Sequence, residues 1–488
     1  MEMEMPGRME LKLGDRVVGD ARRRRSGPLR SLVLGNFSGG GEWAGALAQR
    51  PILRLDLDNF PAVMRRLDPG VRLTLGDAVT ELRFRELDDF HPDRLYQGLE
   101  LFQSLRELRA RLADDESFSQ AAAALRQEPS TTSGTKAAPE EDEQDLVARL
   151  LGRQPREEQV REGRGEAAIG RMVRNIVAPY IVPSPDPQQA VYLASVDDAI
   201  AEQMRRLLHD PALQALESAW RSLYGLVSGL ETGEALELFL LDATQEELRN
   251  ELAGEGETPR ESGLYQKLQS SVDGAGERPW SLILSDYTFS ASPRDIQLLA
   301  GLGGIAARCG APFLGLAAPG LLGCDSYGQV VDPTTWPGLG DAEAVAWKAL
   351  QGSPVASWIG LALPRLLLRL PYGPHMDEID SFAFQEIPDL AADQSGLLWG
   401  NPAFACARLL VEAVQRGETG LDVEGLPLVV YEQEGERRML PCGEVWIGER
   451  AGEAILEAGL MPLLSYRNRN ALRVMRLQSI AGEALDLR

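Results

Sequence analysis

The chain has 488 residues, 44% of them hydrophobic and 25% charged; those are ordinary values for a globular protein with real cores, and the length suggests about two to four domains. Lys and Arg number 50 against 73 Asp and Glu, a formal net charge of −23, and a surface of that sign repels phosphate backbones, which argues against nucleic acid as the main partner. Cys309, Cys324, Cys406 and Cys442 are far apart and form no C-x-x-C pair, which argues against a zinc ribbon or a disulfide framework and fits a reducing compartment.

The start, "MEMEMPGRMELKLGD", lacks the apolar core of a signal peptide. No apolar run approaches the ~18 residues of a membrane span, so a cytoplasmic protein with no membrane insertion is expected. "MELKL" is a candidate first strand, and Arg22 to Arg25 read as a solvated loop. "SLVLGNF" is a stronger strand, ended by "SGGGE", which lacks the Lys and the spacing of a P-loop and reads as a flexible turn. "DNFPAVMRRLDP" predicts a short helix that Asp58 or Asn59 caps and Pro69 stops. "VRLTLG" and "ELRFREL" alternate apolar and polar residues around "DAVT", as a half-buried hairpin does.

"LDDFHPDRLYQGLELFQSLRELRARL" packs Asp88, Asp89, His91 and Asp93 into a few residues. A metal site needs three or four convergent ligands, whereas capping explains these acids. Pro92 suits a first helical position, and Asp93 favours the positive end of the helix dipole. Leu95, Leu99, Phe102, Leu105, Leu108 and Leu112 then recur at three- and four-residue steps and predict one amphipathic helix.

From Arg126 to Gln144, "RQEPSTTSGTKAAPEEDEQ" has almost no large apolar residue, the composition of a flexible linker between two separately folding parts. Helices follow: "DLVARLLGRQ" with an apolar face at Leu146, Val147, Leu150 and Leu151, then "GEAAIGRMVRNIVAPYIV". A long helical stretch starts at Ser195 or Val196 and breaks at Asp210-Pro211; beyond the break Leu213, Leu216, Trp220, Leu223 and Tyr224 make one bulky face. His209 reads as a helix-end cation. "EALELFLLDAT", "WSLILSDYTFS", "APFLGLAA" and "VASWIGLALP" are strands, with helices at "QEELRNELAG" and at "SPRDIQLLAGLGGIAARCG", the latter capped by Ser292. Strands separated by helices predict an α/β fold with a mixed, mostly parallel sheet.

Few constellations could carry chemistry. "GLGGIA" (Gly301 to Ala306) matches G-x-G-x-x-A but falls inside a helical pattern, where close packing is the better reading than cofactor binding. "LPRLLLRLPYG", read as a helix, sets Arg365 and Arg369 one turn apart. Guanidiniums in so apolar a setting need anionic partners, since an unpaired buried charge is very costly, so both are structural ion-pair candidates. His91, His209 and His375 have no nucleophile motif nearby. The expectation is no catalytic, cofactor-binding or metal-binding residue, and no enzyme.

Longer stretches carry a resemblance. They are "LVLGNFSG", "LDLDNFPAVMRRLDPGVRL" and "LRFRELDDFHPDRL" in the first part, then "LLHDPALQALESAWRSLYGLV", "LALPRLLLRLPYGP", "FAFQEI" and "LLWGNPAFACARLL". In this order they resemble the contractile sheath of bacterial type VI secretion systems, with the small (TssB/VipA-like) and large (TssC/VipB-like) subunits joined in one chain. The resemblance implies a small-subunit-like domain at 1–125, a flexible linker at 126–144, a helical region at 145–230 and a large-subunit-like α/β core at 231–488, truncated at the C-terminus. It implies a structural protomer that polymerises around an inner tube and contracts to drive protein export. The implied partners are copies of itself or other sheath subunits, the inner tube protein, the baseplate and a ClpV-like AAA+ disassembly ATPase, with no cofactor. The ATPase-recognition helix falls on Leu146, Leu150 and Leu151. The short end leaves terminal strand exchange open, so the alternative is a sheath-fold adaptor, cap or regulator that binds a sheath or baseplate without polymerising.

Overall fold

The computed structural model describes residues 28–40, 46–75, 78–126, 189–233, 235–252, 262–270, 278–374, 376–417, 420–485 and 487. The candidate strand "MELKL", Arg22 to Arg25, the linker beyond Arg126, Leu146, Leu150 and Leu151 with their helix, the helix at "GEAAIGRMVRNIVAPYIV" and His375 lie outside the described residues.

The strand β1 (Leu29–Gly35) is buried along its whole length, and LRSLVLG is near-continuously apolar rather than alternating, as befits a strand covered on both faces. β2 (Leu53–Leu55), α1 (Phe60–Leu67) and the hairpin of β3 (Gly70–Leu75) and β4 (Ala78–Arg83) follow. Next come α2 (Pro92–Gly98), α3 (Glu100–Ala113) and α4 (Phe118–Arg126). From residue 189 the chain builds α5 (Gln189–Leu208) and α6 (Pro211–Gly229), parted where Asp210 accepts from Ala212 N and Leu213 N. Strands and helices then alternate through β5 (Leu236–Asp242), α7 (Gln245–Leu252), α8 (Gly263–Ser270), β6 (Leu282–Phe289) and α9 (Pro293–Cys309). They continue through β7 (Phe313–Ala317), α10 (Tyr327–Val330), α11 (Asp341–Gln351) and β8 (Ile359–Leu363). Short strands β9 (Leu366–Leu367) and β10 (Trp399–Gly400) precede α12 (Ala403–Arg416) and β11 (Asp422–Glu424). The hairpin β12 (Val430–Gln433) and β13 (Glu436–Met439), then α13 (Glu449–Glu457), β14 (Met461–Ser465) and β15 (Ala471–Val474) come last.

One nine-stranded sheet runs in the order β11-β15-β14-β8-β7-β6-β1-β5-β2. From β14 to β5 neighbouring strands are parallel; β2, β15 and β11 are antiparallel additions at the two ends. Within it β5-β1-β6-β7-β8 is a doubly wound core in which the chain moves one way from β1 and the other way from β6. α6 and α12 pack together on one face and α9 on the other. Val33, Leu240 and Leu284 share the first face with Trp220, while Leu32, Leu34, Leu241 and Ile283 enter the core beneath α9.

Four expectations need correction. The parts on either side of the linker do not fold as separate units, because β1 from the first part lies between β5 and β6 of the second. The helix expected over 92–112 is two, since Leu99 adopts an extended conformation (φ −90°, ψ 132°) after Gly98. Ser195 and Val196 lie inside α5, where Ser195 Oγ donates to Val191 O, and do not start it. The stretch 363–373 is extended, not helical: Pro364 and Pro371 each bias the preceding residue away from helix, and β9 pairs with β10 while Leu367 N donates to Cys442 O. Four extended residues span about 13 Å, so Arg365 and Arg369 do not form one charged ledge.

Candidate functional site

The described residues form a seam where the first part of the chain enters the second. β1 matches Leu29–Gly35 against Leu236–Asp242 on one side and Ser31–Leu34 against Leu282–Ser285 on the other. Polar side chains fasten both of its ends. At the start, the buried Arg30 guanidinium lies 4.9 Å from the Phe239 ring and 4.5 Å from the Trp280 ring, and donates to Arg278 O; a desolvated cation over aromatic faces is stabilised by about 2 kcal/mol. At the finish, Asp242 Oδ1 accepts from Phe37 N at 2.6 Å and Ser38 N at 2.9 Å, and Trp220 Nε1 donates to Phe37 O at 2.9 Å. Arg50 donates to Asp242 O and pairs with Glu247, whose carboxyl its hydrogen bonds hold down to about 2.

In doubly wound sheets ligands sit outside the carboxyl ends of the strands, where the winding direction reverses. Here that point lies between β1 and β6, and the chain's own side chains fill it. A Cβ on Gly35 would stand 2.7 Å from the Phe37 ring, which meets Trp220 edge-on at 5.5 Å. Asn401 Nδ2 donates to Ser285 O at 3.0 Å. The amides of residues 37 and 38 are given to the Asp242 carboxylate. Asp286, half-buried on the same face, has its carboxyl pushed up to about 7 by burial. On the opposite face "GLGGIA" lies within α9, and a Cβ on Gly303 would stand 2.6 Å from Ile359 Cδ1, so its glycines permit helix–strand approach.

The cluster at 88–93 belongs to the seam as well. Asp89 and Glu86 form a reciprocal cap, and His91 Nδ1 accepts from Asp93 N at 3.2 Å. Asp93 accepts from Asp380 N at 3.1 Å and Ser381 N at 2.9 Å in the second part; burial pushes its carboxyl up, but these bonds outweigh that and lower it. His91 meets Tyr372 edge-on at 5.0 Å, and Tyr96 lies 4.4 Å from Phe382. Further along, Arg109 pairs with Asp197 (Nη2 to Oδ2, 3.0 Å), Gln189 Nε2 donates to Leu112 O at 2.8 Å, and Phe118 meets Tyr192 at 5.8 Å. Among the described residues no group of three or more His, Cys, Asp or Glu is placed to hold a metal ion.

Behind Tyr372 lies a buried ion cluster. Arg369, its side chain 4% exposed, donates Nε to Glu217 Oε1 at 2.9 Å and grips Glu386 with Nη1 and Nη2 at 2.7 and 2.9 Å. Its guanidinium lies 4.2 Å from the centre of the Tyr372 ring, and Arg221 Nε also donates to Glu217 Oε1 at 2.6 Å. Burial opposes charge on Glu386, but the Arg369 guanidinium and the Tyr372 amide hold its carboxyl down to about 2. His209 Nε2 stands 3.7 Å from Glu386, too far for a hydrogen bond. Arg365 takes a different acid: Nε and Nη2 each reach Glu444 at 2.7 Å, with 38% of its side chain exposed. Sequence reasoning missed Glu217, although an acid between Leu216 and Trp220 on the bulky face of α6 was the available signal.

Residues 190–481 match the VipB family, described as a tail sheath N-terminal domain. The chain belongs to the type VI secretion sheath family. Residues 5–130 match the type VI secretion system VipA family, so both sheath subunits are represented in one polypeptide, as the sequence resemblance implied. The type VI secretion system sheath protein TssC1 of Pseudomonas aeruginosa is 31% identical over 345 residues, covering 68% of this chain and 69% of its own length. Proteins of the sheath family are structural rather than enzymes, and sheath subunits self-assemble with one another. No described helix is long and apolar enough to cross a membrane.

Proposed function

We propose that this sheath-family chain is a building block that polymerises around an inner tube and contracts to drive protein export. The observation that supports this most is the seam: the VipA-like part contributes β1 to the middle of the VipB-like sheet. A unit fastened in this way moves as a near-rigid body, and repeated head-to-tail contacts between such bodies generate open helices. Contraction is then a change between two packings of the same unit and draws on energy stored at assembly. The inner tube protein and the baseplate are the partners for the stroke. A ClpV-like AAA+ ATPase is the partner for recycling, with Leu146, Leu150 and Leu151 as the face it grips. Electron microscopy of the purified chain, alone and with the tube protein, should show rings or tubes. Persistent monomers in every condition would refute polymerisation, and binding confined to the ends of a separate sheath would favour the cap or adaptor reading.

A further inference from the structure

We propose that His209 is a proton-operated clasp: a proton added to its imidazole tightens a strap, residues 385–397, over the elbow between α5 and α6. The device belongs to the single chain and does not depend on polymerisation.

Residues 376–398 run towards β10 without forming a helix or a strand. Stretches of that length with no regular structure are uncommon in compact proteins, and most of them have a task. The second half, the strap, is fastened across the elbow by polar contacts on both sides. Arg205 Nε of α5 donates to Gln385 O at 3.0 Å, and Gln214 Nε2 of α6 donates to Gly396 O at 3.3 Å. Just inside the first of these lies Glu386, fully buried and gripped by Arg369. The strap's apolar residues Ile387, Leu390 and Leu397 turn into a small core with Leu367, Val429 and Leu440, separate from the two large ones. Its hold on the elbow is therefore mainly polar, and a change of charge there is felt.

His209 sits at the elbow itself, after Leu208 ends α5 and before Asp210 caps α6. Its Nε2 is buried, has no hydrogen-bond partner and stands 3.7 Å from Glu386 Oε1. A Cβ on Gly396 would come within 2.5 Å of the ring's Cε1 and Nε2, so the strap's backbone lies against the imidazole. The ring is wedged between residues 386 and 396, and 31% of the side chain remains exposed, which gives protons a way in. Imidazole is the side chain that ordinarily changes charge between pH 5 and 8. Glu386, held down to about 2, is an anion throughout that span. An imidazolium therefore meets a fixed negative charge that the neutral ring leaves unanswered. Asp393 on the strap, Asp210 and the carbonyl end of α5 favour the proton as well. Arg369 and Arg205 oppose it, but Arg369 is engaged with Glu217 and Glu386, and Arg205 with Glu202 and Gln385 O; Arg206 is paired with Glu202 and Arg221 with Glu217. His91 faces the same region through Tyr372 and Asp93. Its Nδ1 already accepts from Asp93 N, so a proton there removes a bond and acts in the opposite direction. Because the His209 proton binds more tightly when the strap is fastened, fastening is strongest below histidine's ordinary range and weakens as pH rises through it.

The test is amide hydrogen exchange of the full-length chain at pH 5.5 and pH 8, corrected at each pH for the intrinsic rate of unstructured chain. Peptides covering 387–397 report the strap, and peptides covering 282–289 report the sheet. Relative to the sheet, strap protection should be roughly three- to tenfold greater at pH 5.5, as befits one charge-assisted contact at a partly exposed site. In His209→Gln, which is neutral at both pH values, that gain should vanish. A wild-type strap that does not change relative to the sheet, or an equal gain in His209→Gln, would overturn the clasp. A second measurement needs no variant. Exchange of the histidine ring C2 proton, read by mass spectrometry in the wild type, gives the pH at which His209 takes its proton. The strap's gain in protection should share that midpoint, and two separate midpoints would also overturn the proposal.

Discussion

Arg365 and Arg369 lie four residues apart between the same two prolines, yet the chain uses them differently. Arg369 is 4% exposed and holds two fully buried glutamates from distant elements, whereas Arg365 is 38% exposed and forks onto the half-buried Glu444. Removing one partner of a buried pair strands a charge that has no water to return to, while an exposed pair loses little. The contrast extends to two acids, Glu386 fully buried and Asp286 half-buried. Glu386 has cationic and amide partners and is held to about 2, whereas Asp286 has only burial acting on it and rises to about 7. Partners, more than depth, decide which way a buried charge shifts.

Arg369→Ala should break this contrast most severely, costing about 3–5 kcal/mol because Glu386 remains buried without its guanidinium and Glu217 keeps only Arg221; urea denaturation measures it, and a wild-type midpoint would contradict it. Acid is the next probe. Glu386 is depressed in the folded state, so its contribution is present above its ordinary value near 4.5 and is lost as pH falls through about 2. In Glu386→Gln, stability should fall less steeply than in wild type between pH 4.5 and 2, followed by circular dichroism. Asp286 has the opposite sign. Its folded carboxyl keeps a proton that the unfolded chain releases above 3.8, so its penalty grows as pH rises from 3.8 to about 7. Asp286→Asn should melt above wild type at pH 8 and alongside it at pH 3.5. Smallest of all, Arg365→Ala should cost about 1–2 kcal/mol, less than Arg369→Ala because water reaches its half-buried partner, read from the same urea curves.

The parts of the fold legible in the sequence were those set by neighbouring residues. Asp210-Pro211 and Ser292-Pro293 start helices through local side-chain caps, and the alternation of strands with helices after residue 236 reads directly as a mostly parallel sheet. The apolar run around Arg365 and Arg369 was ambiguous, because a short run of leucines suits a helix or a buried strand equally. Its outcome depended on Trp399–Gly400 and Cys442, which no local pattern points to. The seam was harder still. Nothing within LRSLVLG specifies Leu236–Asp242, some 200 residues away, as its neighbour. A composition shift at Arg126 suggests two units, but a break in composition marks where the chain lacks apolar residues, not where the sheet ends.

Hydrogen exchange of the full-length protein, read on peptides covering 29–35, 282–289 and 313–317, tests the shared sheet most directly. A strand seated between β5 and β6 should exchange as slowly as β6 and β7, since all three open only with the centre of the fold. If the amides of Leu32 to Leu34 exchanged orders of magnitude faster while those of β6 and β7 stayed protected, the two parts would be separate bodies, and the account of one stiff sheath unit would be wrong.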